Sequence, residues 1–160
     1  MKQFFAPWRM KFIKGSRRQS GCVLCSLLKE EDGPNNLILH RGQHAYIVLN
    51  KYPYNTGHMM VVPFAHTNDL LSLTPEPMLE MQMMMQECVR ALTAQYHPQG
   101  FNIGLNVGTA GGAGIPDHLH YHVVPRWNGD TNFMPVIGQT KVLPETVEDT
   151  YHVLKKQLEA

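Results

Sequence analysis

Cysteine is scarce in this 160-residue chain: there are three, an odd number. That excludes a disulfide scaffold and makes a reducing compartment, the cytoplasm, the expected location. Net charge is nearly absent as well. Fourteen Lys and Arg stand against thirteen Asp and Glu, a balance of +1. Such a surface argues against nucleic acid or a membrane surface as the main partner. No apolar run approaches the length of a membrane span, and internal repeats and low-complexity stretches are lacking. The first twenty residues lack acids, although Lys2, Arg9, Lys11, Lys14, Arg17 and Arg18 fall there. A targeting peptide is one reading of such a segment. It lacks a continuous apolar stretch and a small-residue cleavage site, however. Phe4, Phe5, Trp8, Met10, Phe12 and Ile13 instead read as a segment that docks on a domain. With 43% hydrophobic and 17% charged residues, the whole chain, 1–160, reads as one globular domain with a sizeable core.

Histidine, by contrast, is plentiful. Three of the nine stand at alternate positions, His118, His120 and His122, with Leu119, Tyr121 and Val123 in the other phase. Strict alternation predicts a half-buried strand over 117–127 with the three imidazoles on one face, neighbours about 6.6 Å apart. That spacing suits a row of groups along a polyphosphate, and equally a set of metal ligands. The segment before it, Val107 to Pro116, carries Gly108, Gly111, Gly112 and Gly114. Glycines allow close backbone approach, and their amides cradle phosphate. The segment has neither the Gly-Lys-Ser/Thr ending of a P-loop nor the spacing of a dinucleotide turn.

Further upstream, Cys22-Val23-Leu24-Cys25 is a half-site for zinc or a redox pair, at the head of a short helical stretch reaching about Glu31. Strands are predicted over 37–40, 45–49, 57–63 and 101–106, with a short helix from about Asn68. Thr74-Pro75-Glu76 opens the longest helix, with a capping hydroxyl and a proline in the first turn. Met78, Met81, Met85, Cys88, Val89, Leu92 and Tyr96 run along one face of it. That stripe reads as core, not as a soft-metal site, and Cys88 as an inert buried thiol. Pro144-Glu145 starts a terminal helix. Hairpin-like strands with two main helices predict an α+β fold: a mostly antiparallel sheet of about five strands, one long helix and a C-terminal helix.

The stretch His118-Leu119-His120-Tyr121-His122-Val123-Val124 matches the histidine-triad signature, and the chain resembles the histidine triad (HIT) family over most of its length. Phe5 to Met10, and Arg126-Trp127 with Gly129 to Val136, are similar to its bacterial branch, related to diadenosine tetraphosphate phosphorylases and to fragile-histidine-triad-like hydrolases. The resemblance implies nucleotidyl transfer or hydrolysis of dinucleoside polyphosphates, without an organic cofactor. It makes His120 the nucleophile forming a nucleotidyl-histidine intermediate, His122 a phosphate binder, and His118 an orienting group or a metal ligand. It puts Asn50 at the nucleoside sugar, His58 behind the triad and Asn106 at the phosphates, with Gly112, Ala113 and Gly114 lending amides. It also implies a structural zinc on Cys22, Cys25, His66 and His118, in which case His118 leans out of the row. His40 and His44 compete as ligands on sequence grounds. Homodimers are common in the family. Where many of its hydrolases carry Gly-Gln-Ser/Thr before the triad, this chain has Gly114-Ile115-Pro116, a departure that favours the phosphorylase-like branch. Two other readings stay open: a metal-dependent phosphohydrolase with the histidines as catalytic ligands, and a nucleotide-binding signalling module with little catalysis.

Overall fold

Three strands of apolar, β-branched character, β1 (Ile38–Arg41), β2 (Ala45–Leu49) and β3 (Met59–Pro63), follow a short helix, α1 (Val23–Leu27). The computed structural model describes residues 21–132, 137 and 142–159. The docking segment expected over 1–20, and residues 133–136 of the motif after Trp127, lie outside the described residues. A 3₁₀ turn (Leu70–Ser72) leads into α2 (Pro75–Tyr96), then come β4 (Gly100–Leu105), β5 (Tyr121–Arg126) and α3 (Val147–Glu159). The five strands form one sheet in the order β1-β2-β3-β5-β4, every neighbouring pair antiparallel. The expected α+β architecture is therefore present.

The sheet has two faces with different tasks. Both α2 and α3 pack on one face and against each other. The core there includes Met81, Met84, Met85, Cys88 and Leu92 of α2 with Tyr151 and Leu154 of α3. Burial of Cys88 is complete, and burial pushes its thiol well above the ordinary range. Register assigns the other face. Tyr46 lies opposite Val62, Met60 opposite His122, and Gly104 opposite His122 on the far side, and directly paired residues share a face. The site face thus carries Tyr46, Val62, Met60, His122 and Gly104. At one end of it the Tyr46 hydroxyl donates to the Leu24 carbonyl at 2.9 Å, which seats α1 beside the first two strands.

Three expectations need correcting. The strand expected over 117–127 begins only at Tyr121. Its pairing with β3 ends at Tyr121–Val61, and the Leu119 amide donates to the Thr67 carbonyl at 2.8 Å, outside the ladder. So His118 and His120 stand on irregular backbone, and the three imidazoles do not form one row. Thr74 does occupy the N-cap of α2, but its hydroxyl caps no backbone amide. Met78 shares the apolar stripe of α2 yet is 46% exposed, because most of the helix's first turn is open to solvent and offers nothing to pack on. Met84 and Ala91 fill the buried face instead.

The β2–β3 connection, which reaches the site face, is fixed by its own residues. Gly57 sits at φ +79, and an added Cβ would lie 2.6 Å from Leu92. Only glycine fits such a left-handed, tightly packed position. Asn55, 5% exposed, donates to the Pro125 carbonyl and to Asp130 at 2.9 Å each.

Candidate active site and metal centre

Four potential ligands from four places in the chain converge beside α1. Cys22 precedes the helix, Cys25 lies in it, His66 follows β3 and His118 precedes β5, and their ligand atoms all lie within 4.8 Å of one another. His118 Nδ1 is 3.3 Å from Cys22 Sγ, 3.5 Å from Cys25 Sγ and 3.3 Å from His66 Nδ1; Cys25 Sγ is 3.4 Å from His66 Nδ1. A tetrahedral zinc with bonds of about 2.0 to 2.3 Å sets its ligand atoms about 3.3 to 3.8 Å apart. The donor set fits. His118 Nε2 lies 2.9 Å from the Pro63 carbonyl, an acceptor only, so the ring's proton is on Nε2 and the Nδ1 lone pair faces the sulfurs. Burial, then the neighbouring Cys22, pushes the Cys25 thiol upward, a penalty that a bound cation reverses. Of the competing ligands, His40 and His44 are outside this cluster among the described residues.

The second histidine is held by the first. His120 Nδ1 lies 2.8 Å from the His118 carbonyl oxygen and must donate to it, which leaves Nε2 with a bare lone pair. Burial pushes the imidazoles of both His118 and His120 below their ordinary range, so both are neutral at pH 7. An uncharged imidazole with an unprotonated Nε2 is the nucleophilic form.

The third histidine is set by a relay. His58 is fully buried, and its Nδ1 receives the Tyr54 backbone N–H at 3.1 Å and faces the Asn50 amide nitrogen at 3.3 Å. With Nδ1 an acceptor, the proton of neutral His58 is on Nε2. That atom lies 2.9 Å from His122 Nδ1, so His122 in turn carries its own proton on Nε2. The rings of His120 and His122 are 4.9 Å apart, edge to face. A lone-pair nitrogen and an N–H donor thus stand side by side, with opposite tautomers enforced by the backbone.

The remaining expected residues divide. Asn50 touches His58 and accepts from the Tyr52 amide at 2.9 Å, so here it sets the relay and the loop. Asn106 lines a cleft of about 340 Å³ together with Tyr54, Asn102, Gly104, His122 and Arg126. In the glycine loop, the Gly112 amide donates to the Thr109 carbonyl and the Ala113 amide to that of Gly108. Phosphate contact at those two amides requires the loop to exchange these bonds.

Sequence reasoning missed Tyr54, Asn55 and the Arg126–Asp130 pair that anchors the loop behind the relay. Polar residues in the 50–57 turn were the available signal. Asp130 accepts from Arg126 at 2.6 and 2.9 Å and from Asn55. The Arg126 hydrogen bond first, then that of Asn55, holds its carboxyl well below the ordinary range against an opposing effect of burial. A depressed folded-state value stabilises the fold above the unfolded value, about 3.9, and the gain is lost as pH falls through the folded one. The melting-temperature gap between the parent and Asp130→Asn should therefore be widest near neutral pH and narrow below about pH 4. A gap that stays constant down to acid would show that Asp130 acts by shape alone.

A family model for the HIT domain matches residues 32–129. An AP-4-A phosphorylase of Mycobacterium tuberculosis is 45% identical over 127 residues, 79% of this chain. The match spans 64% of that protein's length. Among solved structures, a Zn-bound histidine triad family protein from Mycobacterium smegmatis superposes with TM-score 0.69 at 28% identity, over 87% of this chain and 94% of that one. A hypothetical histidine triad nucleotide-binding protein from Sulfolobus tokodaii gives TM-score 0.69 at 23% identity, over 86% and 92%, a likeness of fold.

Proposed function

The chain belongs to the HIT family, and from that premise we propose that it cleaves dinucleoside polyphosphates by transferring a nucleotidyl group to His120. The observation that carries this reading is the enforced pair of tautomers: bare Nε2 on His120, protonated Nε2 on His122. His120 Nε2 attacks the α-phosphorus, the P–N bond forms, and the P–O bond to the leaving nucleoside polyphosphate breaks. The N–H of His122 bonds to the non-bridging oxygens as charge builds there, a contact of the kind worth about 3 kcal/mol in other transition states. The acceptor, inorganic phosphate or water, then attacks phosphorus and restores the imidazole. Phosphate is the preferred acceptor. The 45% identity to an AP-4-A phosphorylase supports it, as does the absence of hydroxyl and amide side chains at Ile115 and Pro116.

Zinc bound to Cys22, Cys25, His66 and His118 is structural in this reading, because four protein ligands leave no position for substrate. It also separates the proposal from a three-histidine metallohydrolase, since His118 turns its Nδ1 to the two cysteines and His122 turns its Nδ1 to His58. The outer edge of β4, with Ile103 49% exposed, is the surface we assign to homodimer formation. Unpaired thiols support a cytoplasmic location. No helix among the described residues is long and apolar enough to cross a membrane.

The decisive experiment is product analysis with diadenosine tetraphosphate, with and without inorganic phosphate. ADP plus ATP, formed only with phosphate, is expected. AMP plus ATP would make the protein a hydrolase, and no cleavage under either condition would overturn the proposal.

A further inference from the structure

Two of the three cysteines are within reach of solution, and the fold turns both toward one histidine. Cys22 and Cys25 are half-buried and His66 beside them is exposed, whereas Cys88 is fully buried in the core. Cys22 holds the N-cap of α1 and Cys25 lies in the first turn. The Ser26 amide and hydroxyl both donate to the Cys22 carbonyl at 3.0 Å, so one closed turn carries both sulfurs. Those sulfurs lie within 4.8 Å of each other. A disulfide needs about 2.05 Å, a gap that rotation of the two side chains closes while the turn stays as it is. The helix that carries the pair is anchored on β2, three places along the sheet from the β4 edge assigned to the dimer.

We propose that Cys22 and Cys25 are a site of reversible oxidation, which a peroxide converts into an intramolecular disulfide that excludes zinc; the exclusion rests on the metal reading given above. One thiolate attacks a peroxide oxygen, and the O–O bond breaks to leave a sulfenic acid and hydroxide. The second thiolate attacks that sulfur, the S–S bond forms, and a second hydroxide departs. Two electrons pass from sulfur to peroxide, and two protons from solvent turn the hydroxides into water. The metal ligand is the thiolate, so a disulfide leaves only His66 and His118 of the four donors, short of a tetrahedral set. Cys88 takes no part, since no oxidant reaches it in the folded core. The consequence is selective. Oxidation unties α1 from His66 and His118, with the Tyr46–Leu24 bond left to hold it on β2. The His118 ring keeps its bond to the Pro63 carbonyl, and the His118 carbonyl keeps His120. Oxidation therefore shortens the life of the fold and spares the aim of the proposed nucleophile.

The test exposes the zinc-loaded parent, Cys25→Ser and Cys88→Ala to hydrogen peroxide, in an excess that oxidises free glutathione over the same time. Intact mass, zinc released to a chelating dye and melting temperature are followed together. The parent and Cys88→Ala should lose two hydrogens and their zinc in step, and their Tm should fall by about 10 °C. Dithiothreitol with added zinc should restore mass, metal and melting. Cys25→Ser should form no disulfide within the chain. A parent that keeps its zinc and its thiols under peroxide overturns the proposal, as does loss of zinc with sulfinic acid in place of the disulfide. If Cys25→Ser does not fold, peptide mapping of the oxidised parent locates the bond, and a bond that includes Cys88 overturns the assignment. Turnover per folded molecule, measured below the melting range, should stay within about two-fold of the reduced protein; a fall in step with zinc overturns the selective consequence. A parent that carries no zinc as purified refutes the metal reading, while mass and mapping still judge the pair.

Discussion

His120→Ala is expected to abolish the proposed turnover of diadenosine tetraphosphate, by about a thousand-fold or more, while the protein stays folded. The expectation follows from what the ring contacts. His120 makes one main-chain hydrogen bond, to the His118 carbonyl, and its other nitrogen is the atom assigned to attack. Losing that bond leaves a carbonyl without its donor, a cost of about 1 kcal/mol, which corresponds to a fall of about 2 to 4 °C in Tm for a chain of this size. Lost nucleophilicity, by contrast, has no substitute nearby, because the Nδ1 atoms of His118 and His122 both face other partners. Steady-state rates, thermal melting and trapping of a labelled nucleotidyl adduct make the check. An adduct that persists in the alanine variant would move the nucleophile elsewhere.

Cys22→Ser is expected to lower thermal stability strongly and chemistry per folded molecule much less, if the proposed zinc is bound. A structural zinc contributes on the order of 10 kcal/mol to folding in small domains. Loss of even a third of that from one weakened ligand lowers Tm by about 10 °C, taking about 3 °C per kcal/mol at this length. The damage is to the docking of α1, since Cys22 and Cys25 tie it to His118 and His66. The Tyr46–Leu24 bond is then the helix's remaining polar anchor to β2. Metal content, melting temperature, and rates normalised to folded protein are the measurements. Protein purified without chelator that holds no zinc, or a serine variant that melts with the parent, would remove the metal from the account.

Much of this was readable from the residues, and the limits have physical causes. Strand β2 coincides with its predicted bounds, 45–49, because a run of apolar residues ending at Asn50 fits only a buried strand. The long helix was legible from Pro75 in its first turn and from its apolar stripe. The four-donor cluster matches the set that the family resemblance implied. What period alone could not reveal is where pairing stops. Leu119 keeps the alternation of the strand, yet its amide bonds to Thr67. Local pattern carries no record of that long-range partner. The tautomers of His58 and His122 were equally hidden, because they depend on a backbone amide at Tyr54 that no side-chain pattern encodes.

His118 belongs to two centres at once: its side chain faces the cysteines while its carbonyl steers His120. On the ribosome the ligands emerge in the order 22, 25, 66 and 118. The last to appear is two residues ahead of His120, the proposed nucleophile. A growing chain therefore cannot bring the four donors together until the segment that carries His120 is at hand. A closed set of donors certifies that His120, the proposed nucleophile, has been made and is on the point of being aimed.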